Sequence, residues 1–212
     1  MDYSNELCQL VIKNMMVVEK APEVVDQITE RLFEKINERI KDRISKQTDW
    51  KGEYDLLTDE SGGTTFAPKD WPEDENGNYL AYYYLSGLRD NNIQNWLSIA
   101  LGLEGSYNAL CFDIDKDYLG MTSKQKNRTL ENLSQNPRLV NAGFSYNINL
   151  GIYLPFSFLP DKVAEEYPDF DESLAPLDES LDALISVHDI FDDFVKTISQ
   201  KNDEKTLPES ME

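Results

Sequence analysis

The chain has 212 residues, with 40 acids against 20 Lys and Arg and a single His, for a formal charge of −20. That length suits one domain, and 40% hydrophobic with 11% aromatic residues is enough to build a core, which excludes wholesale disorder. No apolar run reaches the ~20 residues that cross a bilayer, the opening MDYSNEL lacks a basic leader, and an acidic surface repels phosphate. The expectation is a cytoplasmic protein with no membrane segment and no direct hold on nucleic acid.

The excess charge is localised. Residues 1–48 carry 9 acids and 8 bases, and residues 79–160 carry 6 of each. Residues 49–78 net −7 and residues 161–212 net −12. Cys8 and Cys111 both stand in apolar patterns and read as small buried hydrophobes of a reducing compartment.

Residues 4–20 predict a helix with Leu7, Leu10, Val11, Met15 and Val18 on one stripe, ended by Ala21-Pro22. A second helix follows, in which Val25, Ile28, Leu32, Phe33, Ile36, Ile40 and Ile44 recur every three or four residues through Ser45. Together they predict an N-terminal helical hairpin. Ion pairs are expected along the second helix at Arg31/Glu34, Glu38/Lys41 and Asp42/Lys46.

From Trp50 the period changes to two, in WKGEYDL, and the two prolines of FAPKDWP exclude a central strand. Asn76-Gly77 predicts a hairpin turn before a Tyr-rich strand over Tyr79–Leu85. Residues 96–103 fit strand or short helix equally, and Ala109–Asp115 reads as a strand. Thr122 or Ser123 caps a polar helix that stops before Pro137. Ser145–Leu150 and Gly151–Phe156 suggest one bent strand. Asp161–Tyr167 is a short helix, and Leu177–Ser199 a long one with a tail frayed from about residue 200. The resulting fold class is α+β, a helical unit at 1–48, a mostly antiparallel β-rich core at 49–158, and an acidic helical segment at 159–212 packed on it, all one cooperative domain.

Asp113, Asp115 and Asp117 could converge on a cation, since i and i+2 share a strand face, with Glu53 or Asp55 as a further acid. The run fails the calcium-loop pattern, with Tyr118 where Gly is needed and Lys124 where Glu is needed. One His and two distant Cys make no zinc site. No metal or other cofactor is therefore expected. His188 falls within the apolar stripe beside Asp189 and Asp192, the setting of a half-buried histidine paired with a local acid. The turn Ser61-Gly62-Gly63-Thr64-Thr65 lacks the following helix and lysine of a phosphate loop.

The function these features favour is an acidic, non-enzymatic binding protein, of inhibitor, immunity, antitoxin or nucleic-acid-mimic type. Its partner would be a basic protein, one that handles nucleic acid fitting well. The acids expected to carry it are Asp171, Glu172, Asp178, Glu179, Asp182, Asp189, Asp192 and Asp193, with Asp182, Asp189 and Asp193 facing solvent and Asp192 near the edge of the stripe. Reversal of Asp189, Asp192 and Asp193 to Lys is expected to leave folding nearly intact. Tyr82, Tyr83 and Tyr84 form a candidate aromatic surface. The competing readings are a metal-assisted hydrolase or nuclease built on Asp113 and Asp115, and an assembly subunit that forms homo-oligomers through the 23–45 helix.

Overall fold

The computed structural model describes residues 4–47, 49–54, 63–74, 77–88 and 95–206. Two helices, α1 (Asn5–Lys13) and α2 (Met15–Ser45), meet at the single residue Asn14. The N–H of Asn14 donates to Leu10 O, and its own carbonyl accepts from Val17 and Val18. One residue bonded helically on both sides cannot reverse the chain, so α1 and α2 form a kinked continuation rather than a hairpin. Pro22 lies inside α2 and does not end it. It is the eighth residue, just past the second turn, and its missing N–H removes only one bond of a 31-residue helix.

The apolar stripe of α2 is buried from Leu32 onward, with Leu32, Ile36, Ile40 and Ile44 at 0–1% exposure. Arg31 pairs with Glu34 as expected, but Glu38 pairs with Lys35, one turn before it, instead of Lys41, one turn after it, and no pair joins Asp42 to Lys46.

Six strands follow, β1 (Trp50–Glu53), β2 (Thr65–Pro68), β3 (Ala81–Leu88), β4 (Tyr107–Ile114), β5 (Ser145–Asn147) and β6 (Gly151–Phe156). They form one antiparallel sheet in the order β1-β2-β3-β4-β6-β5. The segment FAPKDWP thus does supply an interior strand. Pairing of β2 with β3 stops at Thr65 and Phe66, so Pro68 sits beyond that ladder, where its missing N–H costs nothing. Residues 145–156 are a two-stranded hairpin, with Gly151 at φ +69° leading into β6. An added Cβ there would lie 2.5 Å from Phe112 O, so the position requires glycine. Gly77, at φ +82°, turns the chain between the bridged residues Glu73 and Tyr79; its neighbour Asn76 lies outside the described residues.

Trp96–Ala100 resolves as helix α3, capped by the Asn95 side chain. Then come α4 (Ser123–Ser134), which opens on a Thr122/Gln125 capping box, and α5 (Pro137–Asn141). The expected long C-terminal helix is two, α7 (Ala175–Ser186) and α8 (His188–Thr206), interrupted at Val187 and preceded by α6 (Pro160–Glu166). The break turns the α8 stripe of Phe191, Val195 and Ile198 onto the same core that α7 reaches with Leu177, Leu181 and Leu184.

Strand alternation then decides which side of the sheet is covered. Tyr83, Leu85, Leu110, Phe112, Ile152 and Leu154 share the face on which the helices bury their apolar residues. The opposite face carries Tyr82, Tyr84, Tyr107 and Tyr153 around a small second cluster of Ala109, Cys111 and Leu150. No helix among the described residues is long and apolar enough to cross a membrane.

Candidate functional site

The arginines of α2 determine the state of the acids on α7. Arg39 reaches Asp178 at 3.1 Å and Asp171 at 3.6 Å, and Arg43 pairs with Asp182. These charges line an open groove of about 420 Å³ between the two helices. On α8, Asp189 is held by both guanidinium nitrogens of Arg138, at 2.6 and 2.9 Å. That guanidinium lowers the Asp189 carboxyl below the usual carboxylate range, with help from N–H groups of the first turn of α8. Asp192 accepts from Trp71 Nε1 at 3.2 Å and pairs with Lys196 at 2.5 Å. Asp182, Asp189 and Asp193 are exposed and Asp192 is half-buried.

Five of the eight acids singled out from the sequence are thus neutralised by the protein's own cations. Glu172, Glu179 and Asp193 have no cation within ion-pair distance among the described residues. Sequence reasoning missed Arg39, Arg43 and Arg138 as partners. The signal available was weak: Lys35, Arg39 and Arg43 recur at i, i+4 along one edge of α2, which marks a basic edge but not what it meets.

A dense group of acids lies around α6, the turn after it and the first half of α7. Residues 161–182 contain nine acids and one lysine, net −8, and none of the nine is buried. Asp161, Glu165, Asp169, Glu172 and Glu179 are exposed and have no cation partner among the described residues. The backbone beneath them is tied down. The Glu166 carboxylate accepts the N–H groups of Glu172 at 2.9 Å and Ser173 at 2.8 Å, and these bonds lower its pKa. Arg31 Nε donates to Pro168 O and Arg39 to Asp171 O, both at 3.1 Å, while Phe170 is fully buried beneath the turn.

The three consecutive tyrosines divide as a strand requires. Tyr83 lies wholly in the core, against Trp50, Trp71, Phe112 and Phe191, and so is not part of a surface. Tyr82 and Tyr84 are half-buried on the opposite face, 5.8 Å apart between ring centres, and Tyr84 Oη donates to Leu150 O at 3.0 Å. Burial, and then the charges of Asp113 and Asp115, push the Tyr82 hydroxyl up to about 12. Trp71 is buried, whereas Trp96 is exposed. Of the cysteines, Cys111 is buried, with its thiol pushed up to about 12 mainly by burial, but Cys8 on α1 is exposed.

His188 opens α8 with Nδ1 3.1 Å from Tyr83 Oη, its ring 4.7 Å from Trp50 and 5.9 Å from Trp71. Burial lowers its pKa, against the opposing pull of Asp192, Asp70 and Asp189. The unfolded chain takes up this proton first, as pH falls through about 6.5. The stability that neutral His188 contributes is therefore fully present above that pH and is lost as pH falls towards the folded value. His188→Gln should flatten the acid-side slope of urea midpoints below about pH 6.5. An unchanged slope would show that burial of the ring does not govern its titration.

The carboxylates at the end of β4 and just after it are committed to other bonds. Asp113 pairs with Lys126 of α4 at 2.6 Å and accepts Ile114 N–H. Asp115 caps the N–H groups of Asp117 and Tyr118, and Asp117 pairs with Lys116. Glu53 shares the sheet face of Asp113 but stands three strands away, roughly 14 Å. Asp55 lies outside the described residues. Among the described residues no three His, Cys, Asp or Glu come together as a metal site. Titration calorimetry with Ca²⁺, Mg²⁺ and Mn²⁺ should give only weak heats; micromolar binding abolished by Asp113→Asn would contradict this. The glycine turn does not form a phosphate cradle either. Ser61 and Gly62 lie outside the described residues, Thr64 is buried and donates to Asn37 Oδ1, and Thr65 begins β2.

Compared with known proteins, the chain matches no family model, no curated protein and no solved structure.

Proposed function

We propose that the protein is a non-enzymatic acidic binder that occupies a basic surface on a macromolecular partner, as an inhibitor, antitoxin, immunity protein or nucleic-acid mimic does. The observation that supports this reading is the set of unpaired carboxylates on α6, its following turn and α7, mounted on backbone that Glu166, Arg31 and Arg39 hold fixed. Side chains with no internal cation keep their charge available, and a fixed backbone lowers the ordering cost of presenting it. Carboxylates displayed in this way resemble a row of phosphates to a protein whose own surface is built for nucleic acid.

This reading moves the contact surface relative to the sequence expectation. Glu172 and Glu179 stay in it, and Asp161, Glu165 and Asp169 join them. Asp189 and Asp192 serve chiefly to fasten α8 to α5 and to Trp71. The immobilised protein should capture from host lysate a basic protein that high salt releases. A capture profile with no basic protein at low salt would remove the reading.

A further inference from the structure

The N-terminal helix exposes what a soluble helix ordinarily buries. Between Leu10 and Val24 eight large apolar side chains are exposed, among them Leu10 at 58%, Ile12 at 74%, Met16 at 76% and Val17 at 67%. They surround the helix instead of forming one stripe, the pattern of a helix enclosed by other structure. The first fully buried residue of α2 is Leu32, so residues 5–24 extend for ~30 Å ahead of the helix's anchored part.

The geometry points to a second copy of this chain as the occupant, the two N-terminal helices covering each other around Ile12 and Met16. Area is the first reason. The eight side chains leave on the order of 800 Å² exposed around the helix, more apolar area than a monomer usually leaves uncovered, and the side around Ile12 and Met16 that a second copy covers is a share of it, on the scale of a small interface. Charge is the second. Residues 4–24 hold Glu6, Glu19 and Glu23 against Lys13 and Lys20, net −1, although the whole chain carries −20. The acidic turn first meets α2 at Gln27, whose Nε2 donates to Tyr167 Oη, 11 residues beyond Met16, or ~16 Å along the helix and more than one Debye length from the centre of the proposed contact. Two copies can therefore meet at this segment without bringing their acidic faces together. A basic protein surface offers nothing apolar to it, and anionic lipid would repel the body of the protein. The 23–45 helix, expected from the sequence to mediate assembly, commits its stripe from Leu32 to Ile44 to its own core, so the apolar contact belongs upstream of it.

Sedimentation of the full chain from low to high micromolar concentration tests this. The wild type should reach twice the 24.4 kDa of one chain, and the association should hold or tighten as salt rises, the opposite of what binding to a basic partner does. Ile12→Gln with Met16→Gln and Val17→Gln should weaken it at least tenfold while the near-ultraviolet signal of the core is unchanged. A bismaleimide should couple exposed Cys8 to its counterpart in the wild-type dimer, with Cys111 too buried to react. A wild type that stays at 24.4 kDa throughout, or a triple variant that dimerises as well as the wild type, overturns the inference. So does a monomer that floats with phosphatidylcholine vesicles, which would identify neutral lipid as the occupant.

Discussion

Ile40→Ala should lower the stability of the fold by about 2–5 kcal/mol, the range for truncating a fully enclosed aliphatic side chain. Ile40 is 0% exposed and lies between Ile36 and Ile44 on the buried stripe, where α2 packs on β1 and α7. The loss belongs towards the upper end because the site cannot collapse easily. Arg39 and Arg43 tie α2 to α7 on one side, and Arg31 ties it to the turn after α6. Relaxation into the cavity would strain those contacts. Ile148→Ala, at a position 68% exposed, should by contrast stay within about 0.5 kcal/mol. Urea unfolding of both variants tests the assignment. A change of less than about 0.5 kcal/mol at Ile40 would show that the stripe is not enclosed.

Charge reversal at Glu165, Glu172 and Glu179 should slow association with a basic partner by about tenfold or more at low salt, since like charges on an acidic face act chiefly on the rate of encounter. The same variant should unfold nearly as the wild type does, because none of the three side chains is buried or ion-paired. Position within the fold separates these acids from Asp189 and Asp192. Asp189→Lys would face Arg138 and place a cation at the N-terminus of α8, and Asp192→Lys would remove the acceptor of Trp71 Nε1. The expectation that reversing Asp189, Asp192 and Asp193 leaves folding intact is thus corrected by what the first two carboxylates hold. Asp193, exposed and unpaired, is the one of the three at which it survives.

The contrast between those two groups marks what local sequence can disclose. The α2 stripe, the alternation of Tyr82, Tyr83 and Tyr84, a helix cap at Thr122 or Ser123 and the α+β class were all legible, because periodicity and capping act over a few residues. The pairing of Arg39 with Asp178 spans 139 residues, and that of Arg138 with Asp189 spans 51. No spacing rule reaches so far, and a count of acids cannot tell a neutralised carboxylate from a free one. Leu10 and Val18 fit a core stripe as well as Ile40 does. Only the position of the sheet shows that, among the described residues, they have no core to lie on. The interruption at Val187 was hidden for a related reason: the apolar period runs on through it, and the change of direction depends on where the core lies.

Ionic strength gives the most direct test of the central claim. The association rate of the wild type with the basic protein it captures, followed by stopped-flow from low to high salt, should fall steeply as the charges are screened. The Glu165, Glu172 and Glu179 reversal should abolish most of that dependence. A wild-type rate that does not change with salt, or a reversal variant that keeps the wild-type salt dependence, would contradict the account and reduce the acids of α6 and α7 to a solvated face.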